Sequence, residues 1–141
     1  MDKIVFITGA SSGIGAGCAR KFASQGASLI LNARNVNKLS ALKEELEKQY
    51  GAKIYLLPFD VRDRKAATSA LESLPKEWQS IDILVNNAGL VIGTDKEQEG
   101  SLDEWDIVID TNVKALLAMT RLIVPGMVER KRGHIINIGS I

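Results

Sequence analysis

The chain is 141 residues long, 45% hydrophobic and 25% charged, with a formal net charge of +1. That length suits one domain, and the near balance of charge excludes the broad basic face by which proteins hold nucleic acid or anionic membranes. A single cysteine, Cys18, excludes an internal disulfide framework, and a single histidine, His134, leaves no His/Cys cluster for a metal. With no signal-like opening and no apolar run long enough to span a bilayer, the expectation is a cytoplasmic protein without a membrane partner.

The apolar run Ile4 to Ile7 reads as a buried strand and leads into Thr8-Gly9-Ala10-Ser11-Ser12-Gly13-Ile14-Gly15. This Gly-x-x-x-Gly-x-Gly turn opens a helical pattern that reaches Gln25, with Cys18, Ala19, Phe22 and Ala23 on its inner side and Gly26 at its end. A strand, a glycine-punctuated turn and a helix N-terminus together make a place for a diphosphate. The glycines let the backbone approach closely, and unpaired N–H groups at the positive end of the helix dipole face the anion.

Ser28 to Leu31 reads as a second strand, ending at Asn32-Ala33-Arg34. Asn35 is placed to cap a second helix with an apolar stripe of Leu39, Leu42 and Leu46, closed by Tyr50 and ended by Gly51. A third strand follows from Lys53 to Leu57 and runs into Pro58-Phe59-Asp60-Val61. Ala66, Ala67, Ala70, Leu71 and Leu74 mark a third helix stopped by Pro75, and Ile81 to Val85 a fourth strand that delivers Asn86-Asn87-Ala88-Gly89.

From Leu90 to Gly100 the pattern is polar and irregular, as expected of a loop. Ser101 and Glu104 have the form of a capping box. They open a long helix with Trp105, Ile109, Asn112, Val113, Leu116, Thr120 and Ile123 along one side, which Pro125 should bend or shorten. His134 to Ser140 reads as a fifth strand. Strands that are apolar throughout, alternating with helices, predict an α/β fold with a doubly wound parallel sheet.

The motifs TGASSGIG at 8–15, Asp60-Val61, NNAG at 86–89, Asn112 within a helix and INIGS beginning at 136 stand in an order that resembles the short-chain dehydrogenase/reductase superfamily along the whole chain. The run from Leu74 to Trp78, the segments Ile81–Leu90 and Ile109–Asn112, and the stretch from Gly133 to Ser140 are similar to the NADP-dependent 3-hydroxy acid dehydrogenases of bacteria and fungi, which oxidise L-serine, L-allo-threonine and related acids. The resemblance implies a Rossmann-type sheet of order 3-2-1-4-5 over residues 1–141. The C-terminal strands and helices of the family would lie beyond this chain.

It also implies a cofactor site. Gly9, Gly13 and Gly15 would bring backbone to the pyrophosphate, with Ala10, Ser11, Ser12 and Ile14 in the same turn, and Ser11, Ser12 and Ile14 supplying donors. Asp60 would meet the adenine amino group and the Val61 amide a ring nitrogen. Asn86, Asn87, Ala88 and Gly89 would close against the ribose side. An acid at the end of the second strand would bind the ribose hydroxyl of NAD and repel a 2′-phosphate. This chain carries Arg34 there, a guanidinium that can fork onto phosphate, so NADP is expected over NAD, although Asn35 stands where related enzymes often have a second basic residue.

For chemistry the family uses Ser, Tyr and Lys with an assisting Asn, passing a hydride between the substrate carbon and nicotinamide. Ser140 matches the serine and Asn112 the asparagine. The Tyr-x-x-x-Lys pair would follow the serine. Tyr50 and Tyr55 are the chain's two tyrosines, and neither has lysine four residues on, so the chain as it stands is expected to be inactive alone. A 3-oxoacyl carrier-protein reductase is the alternative enzyme, and a non-catalytic dinucleotide-binding module the alternative of another class. The family's oligomers predict a homodimer or homotetramer, with an apolar helix side at Leu116, Leu117 and Met119 available for it.

Overall fold

The structure, a computed structural model, describes residues 2–11, 13–89 and 100–139. Five short strands, β1 (Ile4–Ile7), β2 (Ser28–Leu31), β3 (Ile54–Leu56), β4 (Ile83–Asn86) and β5 (His134–Asn137), form one parallel sheet of order β3-β2-β1-β4-β5. Helices α1 (Gly13–Ser24), α2 (Val36–Tyr50), α3 (Arg64–Glu72), α4 (Leu102–Ile109) and α5 (Ala115–Arg130) flank it. The expected doubly wound α/β architecture and strand order are therefore both present.

The sheet divides the core by strand parity. Val5 and Ile7 of β1, with Leu29 and Leu31 of β2, face Ala16, Ala19 and Ala23 of α1 and Leu39, Leu42 and Leu46 of α2. Phe6, Ile30 and Leu84 point the other way, onto Ala67, Trp78 and the α5 stripe Ala115, Met119, Ile123 and Met127. Each strand side chain is buried by a helix on its own face, worth about 1.5–3 kcal/mol apiece. This double coverage is why β1, β2 and β4 read as unbroken apolar runs. Asn35 caps α2 by accepting from the Lys38 amide at 3.1 Å, and Gly51 closes it in the left-handed conformation.

Several expectations differ in detail. The strands are shorter than read: β3 lacks Lys53 and Leu57, and β4 starts two residues later than Ile81 and includes Asn86. β5 ends at Asn137, with His134 and Asn137 exposed, because it is flanked by one strand only among the described residues. Its ladder nonetheless continues through the Ile138 amide to the Asn86 carbonyl at 3.0 Å. Tyr50 is 40% exposed and does not join Leu39, Leu42 and Leu46 in the buried stripe of α2. The segment 90–99, read as a loop, lies outside the described residues, as do Ser12 and Ser140.

The long helix departs most from expectation. Ser101 does cap α4, accepting from the Glu104 amide at 3.5 Å. Between α4 and α5, however, Asp110–Lys114 forms a π-helical turn, with the Ala115 N–H bonded to the Asp110 carbonyl five residues back. That turn advances the helix face, so the stripe extrapolated from Trp105 does not stay inward. Of that stripe, Trp105, Ile109 and Val113 are exposed, Asn112, Leu116 and Thr120 are half-buried and Ile123 is buried, while Thr111, Ala115, Met119 and Met127, outside it, join the core. Met119, expected on an outer face, is core. Pro125 does not end the helix, which runs to Arg130. Its ring lacks the N–H that would otherwise bond back to the carbonyl of Arg121, an exposed residue.

Candidate cofactor site

The carboxyl ends of β1, β2 and β4 converge on a cavity of about 360 Å³. Gly9, Ser11, Ile14, Arg34, Asp60, Val61, Asn87, Ala88 and Gly89, all expected from sequence, line it together with Asn32, Ala33 and Phe59. Crevices outside the carboxyl ends of parallel strands are where ligands settle in such folds.

The wall nearest α1 is built by close backbone approach. Gly9 has φ +60, and a Cβ there would sit 2.9 Å from the Ala88 Cα. A Cβ on Gly15 would strike the Gly9 carbonyl and the Asn87 amide. The turn can therefore be followed by a helix packed this tightly only if both positions are glycine. Gly13 begins α1 with φ +58 and stands exposed, whereas Ala10 is fully buried, its N–H donating to the Asn32 carbonyl at 2.8 Å.

Thr8, which the motif contains but which was not expected to act, ties this turn to β4. Its hydroxyl accepts from the Asn87 amide at 3.0 Å and the Ala88 amide at 2.9 Å. The Asn87 side chain in turn donates to the Gly9 carbonyl at 3.0 Å. Asn86, expected at the site, does not line the cavity. Its buried side chain donates to Thr120 of α5 at 3.2 Å and to Asn137 of β5 at 3.0 Å, so it fastens the sheet beneath the site. On the opposite wall, Asn32 donates to the carbonyls of Leu57 and Phe59, both at 3.1 Å, and so holds the segment carrying Asp60 against the end of β2.

Among the described residues, Asp60 and Arg34 are the two charged ones lining the cavity. Arg34 is exposed and makes no hydrogen bond or ion pair with any described residue, so its guanidinium is available to an anion. Asp60 is engaged by Arg62, a residue that sequence reasoning missed. The Arg62 amide donates to Oδ1 at 2.9 Å, Nε to Oδ1 at 3.0 Å and Nη2 to Oδ2 at 2.7 Å. These bonds hold the Asp60 carboxyl below its usual range, with a smaller contribution from the charge of Arg34, and they raise the Arg62 guanidinium. The available signal was the Asp-x-Arg spacing, which lets a guanidinium fold back across a turn.

Asn112 sits in the middle of the π turn, half-buried, on the far side of Gly89. A methyl on Gly89 would come 3.4 Å from its Oδ1. Single π turns inside α-helices mark functional positions more often than ordinary helix does.

Residues 3–141 match the family model for short chain dehydrogenase. The chain belongs to the short-chain dehydrogenase family. It is 49% identical over 137 residues to the NADP-dependent 3-hydroxy acid dehydrogenase YdfG of Escherichia coli O6:H1, covering 97% of this chain and 54% of that protein. The crystal structure of serine dehydrogenase from Escherichia coli superposes with a TM-score of 0.90 at 49% identity, over 97% of this chain and 62% of that one. The closed form of serine dehydrogenase complexed with NADP+ gives 0.88 at 47% identity, over 97% and 54%. The chain thus spans about half the length of the curated relatives it matches.

Within the family's architecture the cavity suits a dinucleotide. The glycine cradle leaves room that a Cβ would fill, the carboxylate at Asp60 is an acceptor for an amino group, and Arg34 is an unpaired cation at the end of β2.

Proposed function

We propose that residues 1–141 are the dinucleotide-binding domain of an NADP-dependent oxidoreductase whose substrate is a 3-hydroxy acid such as L-serine or L-allo-threonine. The observation that carries this reading is the unpaired Arg34 at the end of β2, in a cavity whose one lining carboxylate, Asp60, is already engaged. A carboxylate at Arg34's position would serve the ribose hydroxyl of NAD, whereas a guanidinium there serves a 2′-phosphate. Membership of the family and the 3-hydroxy acid dehydrogenase activity for which the 49%-identical relative is named support the substrate class.

When bound, NADP accepts or returns the hydride. The chain's own residues bind and orient it. The Gly9–Gly15 turn, with Ala10, Ser11, Ser12, Gly13 and Ile14, carries the pyrophosphate on the N-terminus of α1. Asp60 accepts from the adenine amino group, the Val61 amide donates to the ring, and Asn87, Ala88 and Gly89, supported by Asn86, close the ribose side. Ser140 donates to the substrate oxygen where negative charge develops, and Asn112 orders the proton path. The proton itself passes through a Tyr and Lys pair that the whole protein would have to supply.

Trp105, Ile109, Val113 and Leu117 recur every four residues and are exposed along α4, the π turn and α5. This strip is the surface we assign to a homo-oligomer, dimer or tetramer. The single cysteine fits a reducing cytoplasm.

Calorimetric titration of NADP and NAD into the protein, then NADPH formation with L-serine in the full-length protein, tests the reading. Tighter NADP binding with serine-dependent NADPH formation is expected. Binding of neither dinucleotide would overturn it, and turnover of a 3-oxoacyl thioester with NADPH but not of serine would replace the substrate class. Binding without any turnover would point to a dinucleotide-binding module.

A further inference from the structure

We propose that Arg62 is a specificity-determining residue for the phosphorylated cofactor: by folding across Asp60 it cancels the cavity's one lining carboxylate and leaves Arg34 free to meet the 2′-phosphate. This inference rests on the reading of Arg34 given above.

The geometry is unusually complete for a surface pair. Both Asp60 oxygens accept from Arg62, Oδ1 from the amide at 2.9 Å and from Nε at 3.0 Å, and Oδ2 from Nε at 3.2 Å and Nη2 at 2.7 Å. The two side chains are 29% and 33% exposed, so the fork is partly shielded from salt and water. The turn that allows it is local. The Asp63 amide bonds back to the Asp60 carbonyl at 2.9 Å, and Asp63 then caps α3, accepting from Ala66 at 3.0 Å. Arg62 is therefore held at the root of a helix and returns onto Asp60 without reaching into the cavity, which it does not line.

Without Arg62, Asp60 and Arg34 would be the cavity's two lining charges, one of each sign, and close enough that Arg34 already influences the Asp60 carboxyl. A carboxylate freed from Arg62 would turn toward Arg34, which lines the same cavity, or repel the incoming phosphate from where it stood. Either outcome weakens a 2′-phosphate selectively, because NAD carries no charge at that position. Asp110 on the π turn also bears on Arg62, but it is paired with Lys114 at 3.1 Å, so it does not compete for the fork.

A double-mutant cycle in the full-length protein, read as calorimetric dissociation constants for NADP and NAD, separates the possibilities. Arg62→Gln should lower the preference for NADP over NAD about tenfold, and Arg62→Lys, which keeps the charge and loses the fork, should lower it by less. In an Asp60→Asn background the same Arg62→Gln change should move the ratio by less than about twofold, because no carboxylate remains to cancel. An unchanged ratio in Arg62→Gln overturns the proposal. So does an equal loss in both backgrounds, which would mean that Arg62 touches the phosphate itself. Arg34→Gln tests the underlying reading separately: a ratio unmoved by that substitution removes Arg34 as the phosphate ligand, and the inference with it. Thermal midpoints of each variant show whether the fold is intact, and Arg62→Lys carries the test if Arg62→Gln does not fold.

Discussion

The side-chain amide of Asn87 donates to the carbonyl of Gly9 at 3.0 Å, joining two turns that lie 78 positions apart in the chain. Thr8 doubles this link by accepting the backbone amides of Asn87 and Ala88. The glycine turn after β1 is thus held from β4 as well as from its own strand and helix. A cofactor wall made of backbone keeps its shape only if such bonds replace the side-chain packing that glycine cannot supply.

Thr8→Val tests this link, because valine keeps the shape and removes the acceptor. Two amides at a part-buried position would lose their partner, at a cost of about 2–4 kcal/mol. Thr8→Ser retains the oxygen and should cost about 1 kcal/mol. Urea denaturation of both variants is the check, and equal losses would refute the role given to the hydroxyl.

Two glycines of α1 should respond in opposite directions. Gly15→Ala places a methyl against the Gly9 carbonyl, which cannot withdraw without opening the turn, so stability should fall by about 2–3 kcal/mol and dinucleotide binding should be lost. A methyl added at Gly17 would meet nothing within 4 Å, so Gly17→Ala should stabilise by about 0.5–1 kcal/mol through helix propensity. Thermal midpoints and NADP titration of the pair distinguish the two.

The Asp60–Arg62 fork should give a pH signature. The folded carboxyl is held below its ordinary value of 3.8, so its stabilisation is complete above that value and disappears as pH falls through the depressed folded value. The stability gap between the wild type and Asp60→Asn should therefore be constant near neutrality, begin to close below about pH 5, and vanish at still lower pH. Urea melts across that range measure it, and a gap that widened on acidification would contradict the assignment.

Neighbouring residues of α5 should separate folding from association. Met119 is 1% exposed, so Met119→Ala should cost about 2–4 kcal/mol. Leu117 is 60% exposed, and Leu117→Glu should change the stability of a single chain by less than about 0.5 kcal/mol while weakening self-association. Denaturation and light scattering on both variants test the proposed oligomer surface. Loss of stability without loss of association in Leu117→Glu would remove it.

Much of the fold was legible because its signals are local. Apolar runs bounded by turn residues placed all five strands to within a few residues, and the Asn35 and Ser101 caps were readable because capping acts over three positions. Spacing and family motif single out Gly9, Ser11, Ile14, Arg34, Asp60 and Asn87, and these line one cavity. The outward face of α4 was not legible. Period counting assumes an unbroken 3.6-residue helix, and the π turn at Asp110–Lys114 inserts an offset that no single residue type announces.

By itself, then, the amino-acid order determined which segments are strands, which face of α2 is apolar, and that a glycine turn opening a helix follows β1, since each depends on contacts a few residues apart. Only the tertiary structure decided that Met119 is core while Val113 is exposed, that Asn86 fastens β4 to β5 and α5 and leaves the cavity to Asn87, and that Asp60 pairs with Arg62 and not with Arg34. Those outcomes depend on the direction in which a side chain leaves its element and on what the rest of the chain has placed there. Both are properties of packing in three dimensions, where partners distant in sequence compete for the same donor, acceptor or space.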